Sequence, residues 1–224
     1  MQRHFEKELE SLQTTLIKMG SQAEEALRLS LHALMEHDVE TARAVIDNDA
    51  RINSLEIEID NAIVDLLALR QPVAGDLRTI LAAQKINNDL ERIGDHAVNI
   101  AESALTLSAR PTTESLLDLP RMAAIVRQMM HDALDAFIHR ESSLGTKVLE
   151  QDDLIDELNR SMASQVVQLM KADQGTIEAG LDLLRVSRNL ERVADLATNI
   201  AEEVIFIAHA RVVKHHAAEY PRRA

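Results

Sequence analysis

The chain has 224 residues, 37 acidic against 24 basic side chains, a net charge of −13 and no cysteine. That charge repels phosphate backbones and anionic lipid leaflets, which argues against nucleic acid and bare membrane as partners, and the absent thiols exclude disulfides, thiolate metal sites and thiol nucleophiles. Hydrophobic residues at 46%, aromatics at 2%, six Gly and four Pro describe an aliphatic core carried on long helices.

The first predicted helix runs from about 3 to 35. Leu9, Leu12, Leu16, Met19, Ala23, Leu27 and Leu34 form its stripe. Gly20 interrupts that stripe, as a kink or a close helix contact. His37-Asp38 reads as a turn, with Asp38 capping the next helix. The second helix spans about 39 to 69, on a stripe of Ala42, Val45, Ile52, Leu55, Ile59, Ile63 and Leu66. Gln71-Pro72-Val73-Ala74-Gly75 ends it. Asp76 is expected to cap a third helix over 77–108.

Arg110-Pro111-Thr112-Thr113 is the expected boundary between halves. A fourth helix follows over 114–139, or from near Leu119 if Pro120 sits in its first turn. Ser142-Ser143-Leu144-Gly145 reads as a turn, 146–171 as a fifth helix, 172–176 as a connection and 177–210 as the sixth. Residues 211–224 read as a frayed, flexible tail. The run Met1-Gln2-Arg3-His4-Phe5-Glu6 lacks the apolar core of a signal peptide. No stretch approaches the roughly 18 apolar residues of a membrane span. A soluble, cytoplasmic protein is the expectation.

The chain repeats itself. Asn87-Asn88-Asp89-Leu90-Glu91-Arg92-Ile93-Gly94-Asp95 continues through Asn99-Ile100 to Glu102. It returns 100 residues later as Ser187-Arg188-Asn189-Leu190-Glu191-Arg192-Val193-Ala194-Asp195, through Asn199-Ile200 to Glu202. Likewise Val45–Asn53 resembles Val148–Asp156. Each half therefore reads as three helices, giving an all-α fold of two tandem antiparallel three-helix bundles over 1–110 and 111–210.

On a helix, Leu90, Ile93, Ala97, Ile100, Ala104 and Leu107 form one apolar stripe, which Leu190, Val193, Ala197, Ile200, Val204 and Ile207 repeat. Glu91 and Asp95 lie one turn apart on another face, as do Glu191 and Asp195. The second and fifth helices add Asp49 with Asn53, and Asp152 with Asp156. If neighbouring helices bring these rows together, four oxygen-bearing side chains per half suit a hard cation such as Mg²⁺, Mn²⁺ or iron. A solvated acidic face is the alternative the spacing leaves open. Asn53 is neutral where Asp156 is charged, which implies a weaker first patch or a different nuclearity.

Other chemistry is not written here. No Glu has His three residues later, so a ferritin-like di-iron pair is excluded. Phosphate-loop, serine-elbow and H-E-x-x-H patterns are missing. His96 has Leu196 as its counterpart and reads as a surface or satisfied histidine.

Leu90-Glu91-Arg92-Ile93-Gly94-Asp95 with Asn99-Ile100 resembles the signature of the PhoU family, as do its second copy and Arg70-Gln71-Pro72 with Asp76-Leu77-Arg78. The resemblance covers about 5–210. Ala194 departs from it, standing where the motif has glycine. It implies two three-helix bundles with pseudo-twofold symmetry, a homodimer, and a non-enzymatic negative regulator of the phosphate-starvation response. The implied partners are the ATPase subunit of a phosphate ABC transporter and a phosphate-sensing histidine kinase. It also implies a divalent or iron-type metal ion on Glu91, Asp95, Glu191 and Asp195, with Asp49, Asn53, Asp152 and Asp156 as partners. Two other readings of the same residues remain: a metal-dependent hydrolase or metal buffer, and a plain helical scaffold.

Overall fold

The computed structural model describes residues 2–109 and 117–210, and every element among them is helical. They are α1 (Gln2–Glu36), α2 (Val39–Arg70), α3 (Ala74–Ser108), α4 (Leu119–His139), α5 (Ser142–Leu149), α6 (Asp152–Ala172) and α7 (Ile177–His209), with a 3₁₀ turn at Gln174–Thr176. The expected boundary at Arg110–Thr113 and the tail from Arg211 lie outside the described residues. None of the described helices is long and apolar enough to cross a membrane.

The helix ends follow local chemistry. Asp38 caps α2 by accepting from the Thr41 N–H at 3.1 Å and the Thr41 hydroxyl at 2.6 Å. Gln71 leaves α2 in the left-handed region, φ 48, and Pro72 prevents continuation. Pro120 sits in the first turn of α4, which settles that helix's start at Leu119. The sequence errs at α3, which starts at Ala74 with Val73 as its cap. Asp76 lies inside the first turn, where its charge meets the positive end of the helix dipole.

The larger correction concerns the fifth predicted helix, which is two. Ser142–Gly145, expected as a turn, begins α5, and the chain breaks at Glu150-Gln151 before α6. Gly145 is not a breaker here but a contact. A Cβ at this position would sit 3.2 Å from the backbone oxygen of Ala201, so α5 presses its backbone onto α7. The Gln151 N–H reaches back only three residues to Val148 O at 3.1 Å, a tightened turn that redirects the chain into α6.

Within the first half, α1 packs on α2 and α3; within the second, α7 packs on α4, α5 and α6. The two halves meet along α3 and α7, with α1 also touching α4. Lys85 meets Glu203, Asp89 meets Asn199 and His96 meets Asn189, so α3 and α7 run antiparallel. The repeat is visible in burial as well: residues 81–90 and 181–190 share one pattern of buried and exposed positions. The first stripe is wholly buried, and in the second only Ile207 reaches partial exposure. Leu90 and Leu190, both fully buried, each contribute on the order of 1.5–3 kcal/mol. Gly20 marks a close contact: a Cβ there would stand 2.6 Å from Leu134 on α4.

Candidate functional site

The sequence places Glu91 and Asp95 on α3, and Asp49 and Asn53 on α2. The structure brings these four into one patch. Glu91 is half-buried and its carboxyl is held above the usual range, first by burial and then by the charges of Asp95, Glu56 and Asp49. Arg92 opposes this only weakly. The Asn53 amide nitrogen donates to Asp49 Oδ2 at 2.9 Å. The other end of that amide, Asn53 Oδ1, is buried with no hydrogen-bond partner.

Glu56 is the residue the sequence reading missed. It lies three positions after Asn53, on the same helix face as Asp49 and Asn53. Its counterpart in the second repeat is Asn159, which is committed to the Ser187 hydroxyl at 2.7 Å. The amide and the carboxylate have thus exchanged places by one turn. Asn53 does not leave the first patch short of charge, because Glu56 supplies it.

What draws α2 against α3 here is Gly94. A Cβ at this position would lie 3.0 Å from Ile52 Cδ1 and 3.4 Å from Asp49 Oδ1. The bare backbone lets Asp49 approach the Glu91–Asp95 row.

In the second patch Glu191 and Asp195, on α7, face Asp156 on α6. Burial comes first in raising both carboxyls, and Asp156 adds to each. Asp152 stands in the first turn of α6, one turn before Asp156. A cation already occupies this patch: Arg192 Nη1 donates to Asp195 Oδ2 at 2.9 Å, and its Nε lies 3.5 Å from Glu191 Oε2. Arg192 lowers what burial raises, and Arg92 reaches Asp195 from across the α3–α7 contact.

As the side chains stand, no three His, Cys, Asp or Glu residues among the described ones are gathered closely enough to hold a metal ion. Like charges one turn apart repel, so carboxylates without a counterion spread. The donor set itself fits a hard cation. The first patch offers carboxylate oxygens and an orphaned amide oxygen, the ligands Mg²⁺, Mn²⁺ and iron prefer.

A second polar region lies between the repeats, along the contact of α3 with α7. Asp89 is buried, accepts from Asn199, and has its pKa pushed up to about 6, chiefly by desolvation. Arg92 lowers it and Glu203 raises it. Glu203 is also buried; Lys85 donates to its Oε1 at 2.6 Å, while its Oε2 has no partner. His96 Nδ1 lies 2.8 Å from Asn189 Oδ1, so it is a satisfied histidine. Asp89 and Asn189 flank the buried stripe by one residue, which made them look like ordinary surface polar positions.

A family model described as PhoU domain matches the chain twice, over residues 16–104 and 119–204. The phosphate-specific transport system accessory protein PhoU homolog of Aquifex aeolicus is 38% identical over 209 residues, 93% of this chain and 95% of that protein. The phosphate-specific transport system accessory protein PhoU of Escherichia coli is 32% identical over 211 residues, 94% of this chain and 88% of that protein. The crystal structure of PhoU from Pseudomonas aeruginosa superposes with a TM-score of 0.89 at 33% identity, covering 92% of this chain and all of the other. That of the phosphate transport system regulatory protein PhoU from Streptococcus pneumoniae gives 0.86 at 31%, covering 94% of this chain.

Proposed function

The chain belongs to the PhoU family, and from that premise we propose that it is an accessory regulator of phosphate transport that keeps the phosphate-starvation response off when phosphate is plentiful. It acts as a cytoplasmic, non-enzymatic adaptor between the ATPase subunit of a phosphate ABC transporter and a phosphate-sensing histidine kinase. An adaptor shifts a partner between conformations only by as much as it prefers one of them. The relatives named above, matched over nearly the whole chain, are the observation that carries this reading.

The acidic patches are proposed as cation sites. Asp49, Asn53, Glu56, Glu91 and Asp95 would hold the first ion, and Asp152, Asp156, Glu191 and Asp195 the second. A bound divalent cation would offset about half of the carboxylate charge of each patch and draw its side chains together. A homodimer is the proposed assembly.

Deleting the gene is expected to derepress phosphate-scavenging genes in high phosphate, read by alkaline phosphatase activity. Expression unchanged by the deletion would overturn the regulatory reading. Elemental analysis of untagged protein tests the metal sites separately, comparing the parent with Glu91→Ala/Asp95→Ala and Glu191→Ala/Asp195→Ala. Equal metal content in all three would remove the carboxylate assignment. Phosphatase or nuclease turnover that requires Glu191 and Asp195 would favour the hydrolase instead.

A further inference from the structure

Beside the first acidic patch, a cleft of about 570 Å³ opens between α1 and α2, with α3 as its floor. Its walls are mostly aliphatic: Ala26 and Leu29 from α1, Val45 and Ile52 from α2, Val98 from α3. Volumes of this size, apolar with a few convergent polar groups, are those of small-molecule sites. Nothing in the regulatory reading above uses it.

Three polar features at this cleft lack partners of their own. Gln22 Oε1 is buried and accepts no hydrogen bond, an acceptor left open where water is largely excluded. Lys18 and Arg51 border the same cleft on exposed positions, and neither belongs to an ion pair among the described residues. The two acidic groups nearby are already engaged. Glu25 is held by both Nε and Nη2 of Arg28, at 2.7 and 2.6 Å, and Asp49 accepts from Asn53. The cations are therefore available to a ligand, while Glu25 is answered by Arg28 and the charge of Asp49 acts on Glu91 in the neighbouring patch.

We propose that this cleft binds a small anionic amphiphile. The ligand has an apolar body for the aliphatic walls, an acidic end for Lys18 and Arg51, and an N–H or O–H donor for Gln22 Oε1. Asp49 borders both the cleft and the first cation patch, so an occupant would sit against the α2–α3 contact that positions the carboxylates. The inference stands whether or not those carboxylates bind metal.

Anilinonaphthalene sulfonate has all three features and fluoresces when shielded from water. Titrated into the full chain, it should bind once per chain and be displaced by decanoyl glycine but not by decyltrimethylammonium. Lys18→Glu/Arg51→Glu should weaken binding at least tenfold, and Gln22→Leu about threefold. Ala44→Trp, an exposed position on the rim, should block entry. Circular dichroism melts report that each variant keeps its fold, since the charge reversals lie at the surface. No probe binding by the parent overturns the proposal. So does binding unchanged by the charge reversal, and so does equal displacement by the cationic amphiphile.

Discussion

In the second patch, Arg192 reaches both Glu191 and Asp195. In the first, Arg92 stands at the matching position but forms no ion pair among the described residues; its charge is shared between Glu91, Asp89 and, across the repeat boundary, Asp195. The carboxylates of the first patch are thus answered less by protein charge than those of the second. The asymmetry teaches that a duplicated motif can keep its ligand candidates and still change their readiness, because a neighbouring arginine can act as the resident cation. It also reverses the ranking that Asn53 alone suggests. The first patch should be the stronger cation site.

The largest effect should come from removing that patch. Glu91→Gln/Asp95→Asn is expected to weaken the tighter of two Mn²⁺ sites by about a hundredfold, since two of its hard oxygen charges are lost. Glu191→Gln/Asp195→Asn should touch only the weaker site. Calorimetric titration of Mn²⁺ into metal-free protein reads both. Equal losses from the two pairs would erase the distinction between the repeats.

Next in size is the seam. Asp89 occupies the position where the second repeat has Asn189, and burial moves its pKa from the ordinary 3.8 to about 6. The folded value is the higher one, so the folded chain holds this proton more tightly than the unfolded chain. The associated stability is complete below pH 4 and is lost as pH rises through about 6. Glu91, Glu191 and Asp195 are shifted in the same direction and add to that slope. Asp89→Asn, which makes the first repeat like the second, should stabilise the protein at pH 7 by about 1–3 kcal/mol. It should also flatten thermal stability between pH 4 and pH 6. A variant less stable than the parent at pH 7 would mean that Arg92 and Lys85 outweigh desolvation.

What was legible in the sequence follows from the same contrast. Periodicity found the apolar faces of α1, α2, α3 and α7, because burial repeats every three or four residues and nothing competes with it. It could not find the break between α5 and α6: residues 146–171 keep a helical stripe throughout, and the turn shows only in the structure, where the Gln151 N–H reaches back to Val148 O. Glu91, Asp95, Glu191 and Asp195 were legible through the duplication. Glu56 was not, since its mate Asn159 carries no charge and the duplication therefore gave no signal. The polar residues between α3 and α7 were hidden because these helices bury two faces, one within their own bundle and one against each other.

Arg192 offers a smaller test. Arg192→Gln removes the cation that a metal must displace, so the second patch should gain Mn²⁺ affinity about three- to tenfold, a range set by solvent screening of a partly exposed pair. The first patch should not change. If Arg192 only decorates the surface, both affinities stay as they were.

The smallest effect concerns Gly94, which stands where the second motif has Ala194. Gly94→Ala adds a methyl that would stand 3.0 Å from Ile52 Cδ1. Ile52 is only 3% exposed and has little room to yield, so α2 must withdraw from α3 by a few tenths of an ångström. That carries Asp49 away from Glu91. The same substitution improves helix propensity by about 1 kcal/mol, which offsets much of the strain of the added methyl. Stability should therefore change little, while Mn²⁺ affinity of the first patch falls about two- to threefold. In the second repeat Ala194 already carries that methyl, so Ala194→Gly should cost helix stability without weakening its patch. If Gly94→Ala lowers stability and affinity together, the glycine serves packing alone and the tighter approach of α2 is not what sets the first patch apart.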